Sequence, residues 1–297
     1  MGAWEQNAID TYEDFLAYWS VAKSNGVDEQ IRLWETSYMA KYPELLAKQI
    51  ANYEDDGLNW RQVAHERVFP HLAERLQLMR EARENILVTY KPVSARAYEI
   101  FELDFDTVIV VYVGIGCGAG WATRYGGSPA ILLGLENIAE SAWHTKDKLE
   151  ALLAHEIGHL AHMTWRNQWE HFERAEKHPL FELYSEGFAQ RCEHIILGRE
   201  SWHQAQNEAW LGWCQDNRRW LAEEFLQRLD GYLSVRDFFA SWMDIKGKKE
   251  TGYFLGHEFI RYLETTYTMR EIASLDNELI EEFAVRFLME ESGEVTQ

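Results

Sequence analysis

Apolar residues along the chain recur with a helical period at both ends and crowd into short runs between them. In residues 1 to about 86, Phe15, Leu16 and Trp19 follow an acidic first turn, and Leu72, Leu76 and Met79 precede the charged stretch REAREN. Both patterns predict helices with one apolar face. From Ile86 the runs ILVTYKP, RAYEIFEL and TVIVVYVG are rich in β-branched and aromatic residues and predict strands. AILLGLENI, residues 130–138, predicts one more strand after the glycine-rich GCGAGWATRYGGSP. From about Thr145 helical spacing returns: Leu149, Leu152, Leu153, Ile157 and Leu160 form one stripe, with Asp147 in the first turn. The remainder reads as mainly helical, interrupted near Gly231, Gly247 and Gly252. No Pro/Gly/Ser linker appears. The expectation is an α+β architecture: an N-terminal helical region, 1–85, then a domain over 86–297 with a small mixed sheet and a mainly helical C-terminal half, or one continuous domain over both.

Charge narrows the partners. A formal net charge of −20 argues against nucleic acid and anionic lipid, both of which need concentrated Lys and Arg. Cys117, Cys192 and Cys214 are scattered and odd in number, which favours a reducing compartment over a disulfide framework. The start MGAWEQNAIDTYEDF has no basic segment followed by an apolar one, and its sixth residue is Gln, which disfavours myristoylation. The longest uncharged run, Thr107 to Thr123, falls short of a bilayer span. A cytoplasmic protein without membrane insertion is expected; the sequence leaves the oligomeric state open.

The chemistry concentrates at His155-Glu156-Ile157-Gly158-His159. Two His four apart lie one helical turn apart, so both imidazoles can reach one ion. Zinc accepts neutral imidazole and leaves a position for water, whose proton Glu156 can receive as general base. A third ligand is needed. His162 shares the face of His155, but seven residues at ~1.5 Å rise separate them by ~10 Å along the axis, too far for one ion. Glu186, in LYSEGFAQRCEHI, is the better choice, with Glu182 and Glu193 as ordinary solvated alternatives. Gly187 and Ala189 are small enough to let this second helix approach the motif helix.

HEIGHLAH followed about thirty residues later by SEGFA resembles the gluzincin metallopeptidases, and more narrowly the YjaZ family of predicted Zn-dependent proteases. VYVGIGCGAGWAT, AILLGLENI and GYFLGHEFIRYLE extend the similarity over about 105 to 265. The resemblance implies a zincin-like fold whose sheet packs on the HExxH helix. It implies one Zn2+ on His155, His159 and Glu186, with Glu156 as base. It also implies a peptide or protein substrate paired with an edge strand, for which AILLGLENI is the natural candidate. Ser185 stands where many gluzincins carry Asn.

A developing oxyanion needs a donor beside the ion. Tyr253 and His257 are candidates, four apart in GYFLGHEF, although a packing contact at Gly252 and Gly256 explains them equally well; Tyr184 is weaker. Gly114, Gly116, Gly118 and Gly120 do not form a nucleotide fingerprint, because WATRYGGSPA is no helix; a mobile loop beside the cleft is expected. A hydrolase of a non-peptide amide, or a binding protein that retains the fold, remain the alternatives to a peptidase.

Overall fold

Strand formation here follows burial on both faces more than alternation. The structure, a computed structural model, describes residues 7–55, 57–167, 169–205 and 207–293. Residues 1–6, the first part of the stretch read for targeting signals, lie outside that range. The chain forms two compact units, 1–156 and 157–297. The elements used below are β1 (Asn7–Asp10), α1 (Tyr12–Ala22), α2 (Pro43–Asp55), α3 (Leu72–Phe101), β2 (Val108–Tyr112), β3 (Gly120–Tyr125), β4 (Ser128–Gly134) and α4 (Leu135–Glu140). They continue with α5 (Lys146–Arg166), α6 (Pro179–Leu197), α7 (Arg218–Asp230), α8 (Thr251–Leu263) and α9 (Asn277–Ser292). The division between units falls inside α5, a continuous helix.

In the first unit the sheet order is β1-β2-β4-β3. β1 and β4 run parallel to β2, with Asn7 opposite Val108 and Ile109 opposite Ile131. Ile109 to Tyr112 and Ala130 to Leu133 are all buried, as central parallel strands require. β3 returns antiparallel to β4, Gly120 opposite Leu133 and Tyr125 opposite Ser128. The turn between them is Gly126-Gly127, with φ of 59° and 81°, the left-handed pair that a two-residue hairpin turn demands.

Four expectations change. The strands predicted from ILVTYKP and RAYEIFEL are the second half of α3. Their buried residues, Ile86, Thr89, Tyr90, Val93, Ala97, Tyr98 and Phe101, follow a helical period, so packing overrides β propensity. Pro92 is tolerated because it and Val88, the residue whose carbonyl loses its amide partner, both lie on the exposed side. A boundary at 85/86 therefore falls within α3, and β1 ties the N-terminal region into the sheet. The segment WATRYGGSPA is not a loop but most of the β3–β4 hairpin. AILLGLENI is not an edge: its first half is β4, between β2 and β3, and LENI opens α4. β3 is the edge on that side instead, with β1 at the other, because the double-glycine turn folds β3 back along the outer side of β4.

The glycine stretch before β3 is pinned rather than mobile. Gly114 and Gly116 N–H donate to the two carboxyl oxygens of Glu136 at 2.7 and 3.1 Å. Ile115 N–H donates to Gln49 Oε1 at 3.2 Å, and its carbonyl accepts from Tyr53 Oη at 2.8 Å, both from α2. The Val113 carbonyl accepts from Trp34 Nε1. Glu136 is fully buried, and burial pushes its carboxyl up to about 7 against the opposing effect of those amides. A pKa raised in the folded state adds stability below the unfolded value of 4.5 and loses it as pH rises through about 7. Wild-type unfolding free energy should therefore fall across that window by about 3 kcal/mol more than that of Glu136→Gln, which cannot ionise. Urea melts at several pH values check this; parallel pH profiles for the two proteins would refute it.

In the second unit α6 packs along α8 and α7 along α9. Gly187 and Gly256 meet where α6 and α8 cross: a Cβ on Gly187 would stand 2.7 Å from the Gly256 Cα and closer still to its carbonyl. Among the described residues no helix is long and apolar enough to cross a membrane.

Candidate metal centre

α5 runs as helix from Lys146 to Arg166, so His155 and His159 lie one turn apart on one face, both buried together with Glu156. Gly158, the fourth residue of the motif, faces α6. A Cβ there would stand 2.7 Å from Cys192 Cβ and 2.9 Å from the Ala189 Cα. That glycine, with Ala189, brings α6 against α5. Gly187, expected to share the task, serves the crossing with α8 instead.

The close crossing delivers Glu186. Its Oε2 lies 3.4 Å from His159 Nε2. His155, His159 and Glu186 each offer a ligand atom, all within 4.8 Å of one another. A tetrahedral ion with bonds of ~2.0–2.1 Å holds neighbouring ligand atoms ~3.3–3.4 Å apart, a spacing that the His159–Glu186 pair matches.

His155 also belongs to a second group, with Glu193 and His203. There the spacing differs: His203 Nδ1 and Glu193 Oε2 are 2.7 Å apart and buried. That is a hydrogen bond, too short for the edge of a coordination tetrahedron. Glu193 and His203 fit a carboxylate-imidazole pair backing a ligand better than a metal site of their own. Glu182, the other alternative, is pushed up to about 8 by burial and by its neighbours Glu186 and Glu176. It belongs to neither group of ligand atoms found among the described residues.

His162 is neither at the surface nor beside an ion. It is fully buried, with ring centroids of Phe172, Tyr184 and Phe188 at 4.8, 4.7 and 4.3 Å. Burial holds its imidazole well below the usual range, and neither nitrogen has a hydrogen-bond partner. It is a core aromatic. Tyr184 Oη donates to the Ile272 carbonyl at 2.6 Å and is committed there. Tyr253 packs edge-on to His203, centroids 6.2 Å apart. His257 sits against His194 and Trp202, at 4.4 and 5.1 Å, with Nδ1 3.1 Å from Glu258.

Gly120 carries a role that the glycine pattern alone did not expose. A Cβ at this first residue of β3 would fall within contact of the Glu156 carboxylate, 2.7 Å from Cδ and 2.8 Å from Cγ. The obstructing atoms end a flexible side chain, so Gly120→Ala would displace the carboxylate rather than the fold. Any proton transfer that uses the Glu156 carboxylate should drop at least tenfold in this variant while its melting temperature stays within about 2 °C, since a 1 Å misplacement of a reacting group is costly. Paired kinetics and thermal melts check this. His203 and Glu176 were likewise hidden, and Glu193, expected to be solvated, is fully buried, because nothing in the local spacing marks which polar side chains turn inward.

Comparison with known proteins adds nothing to this geometry: no family model, no curated protein and no solved structure matches the chain.

Proposed function

We propose that this chain is a zinc-dependent metallopeptidase of the gluzincin type. The observation that carries the reading is the helix-borne pair His155 and His159 with Glu186 Oε2 at ligand spacing from His159 Nε2. Two imidazoles and one carboxylate form a donor set suited to catalytic zinc. Zinc bound there supplies Lewis acidity toward a carbonyl and acidifies an attacking water. Glu156 takes the proton of that water on its carboxylate and passes it to the departing amine. Its buried setting and its contact with the Gly120 backbone support this role by limiting where the carboxylate can swing.

β3 supports a peptide as substrate. It is a sheet edge, and an extended peptide can add to such an edge through main-chain hydrogen bonds. A strand that begins beside the base would carry a peptide bond along it. Elemental analysis of the purified protein tests the reading. Wild type should hold one zinc per chain, and His155→Ala or Glu186→Ala should hold far less. Zinc-loaded protein should then cleave members of a peptide library. Substoichiometric zinc in wild type would sink the proposal, and cleavage of small amides alone would point to the non-peptide hydrolase.

A further inference from the structure

We infer that Ser185 and Glu176 set the tautomer of His159, and so act as positioning residues for the metal; this rests on the zinc reading above. Ser185 precedes Glu186 on α6 and is fully buried. Its Oγ donates to Glu176 Oε1 at 2.6 Å and lies 3.4 Å from His159 Nδ1. A hydroxyl has one proton, and an ionised carboxylate can only accept. With that proton committed to Glu176, Ser185 Oγ can meet His159 only as an acceptor, so Nδ1 carries the ring hydrogen. The neutral imidazole then presents an unprotonated Nε2, the nitrogen that faces Glu186.

Each link does a separate job. Glu176 orients the hydroxyl, the hydroxyl selects the tautomer, and the tautomer frees the nitrogen that a cation needs. Without Glu176 the hydroxyl can turn and donate to Nδ1, which would place the ring hydrogen on Nε2 and block it. Without Ser185 the Glu186 carboxylate, 3.4 Å from Nε2, favours the ring hydrogen on that nitrogen. Outer partners of ligating histidines are typically worth ~10–100-fold in metal affinity.

The full-length chain tests this in two ways. Zinc affinity, measured by competition with a chromophoric chelator, should fall ~10–100-fold in Ser185→Ala and in Glu176→Ala. The double variant should be little worse than either single one, and Ser185→Thr, which keeps the hydroxyl, should remain near wild type. Second, long-range proton–nitrogen correlation spectra of metal-free protein labelled at histidine should show His159 with its hydrogen on Nδ1. In Glu176→Ala that signature should move toward Nε2, which a purely structural role would not produce. Affinities of both single variants within twofold of wild type, or His159 in the Nε2–H form in wild type, would overturn the inference. Zinc retained by His159→Ala would instead refute the metal site itself.

Discussion

Replacing Glu156 with Gln should leave zinc bound at wild-type stoichiometry and lower kcat for peptide hydrolysis by about 10²–10⁴, the usual contribution of a positioned general base. The substitution is nearly isosteric, so the contact with Gly120 and the burial of the side chain are preserved. What changes is proton affinity: an amide cannot take the proton of the attacking water. Glu156 is not a member of the group formed by His155, His159 and Glu186, so the ligands are untouched. Steady-state kinetics on a cleaved peptide, with elemental analysis of the same preparation, separates the outcomes. Persistent activity with full zinc would mean that another group serves as base. Loss of zinc would place Glu156 among the ligands.

The second large effect concerns stability. Gly187→Ala should destabilise the second unit by roughly 2–4 kcal/mol, because the added methyl meets backbone rather than a movable side chain. Gly256 presents its Cα and carbonyl to Gly187, and a Cβ on Gly256 would in turn stand 2.9 Å from the Gly187 Cα. Neither helix can relieve the overlap except by moving away. The adjacent residue is Glu186, so the variant should also bind zinc more weakly. Gly212→Ala is the control: nothing lies within 4 Å of a Cβ there, and a helical Gly→Ala change in open space is expected to be neutral or stabilising by ~0.5–1 kcal/mol. Equal midpoints in urea for Gly187→Ala and Gly212→Ala would rule out the close crossing.

Local pattern and tertiary context contributed differently to this protein. The motif helix, its apolar stripe and the one-turn spacing of His155 and His159 were readable directly, because helical geometry is set within a few residues. The distance argument against His162 was also local. It removed that residue from the site, but only packing revealed that the imidazole is held among Phe172, Tyr184 and Phe188.

Residues 86–101 show the limit most clearly. Their β-branched and aromatic runs predicted strands, yet their buried side chains recur every three to four positions in α3. Propensity is a weak bias there, and the gain from burying one face of a long helix outweighs it. The order of strands was equally beyond local reading. Whether β3 or β4 forms the edge depends on which side of β4 a two-glycine turn delivers the chain, and adjacent residues carry no record of that.

Glu186 stands between these cases. Residue type and the small neighbours singled it out, but Glu182, Glu186 and Glu193 lie on one helix and share the same chemistry. Three-dimensional placement separates them: Glu182 belongs to neither group of ligand atoms, Glu193 is hydrogen-bonded to His203, and Glu186 lies at ligand spacing from His159. The HExxH spacing alone defined a pair of imidazoles and a base. The glycine contacts of α6 with α5 and α8 bring Glu186 to His159, because the separation of two helix axes depends on side chains far apart in the chain and cannot be written into any one segment.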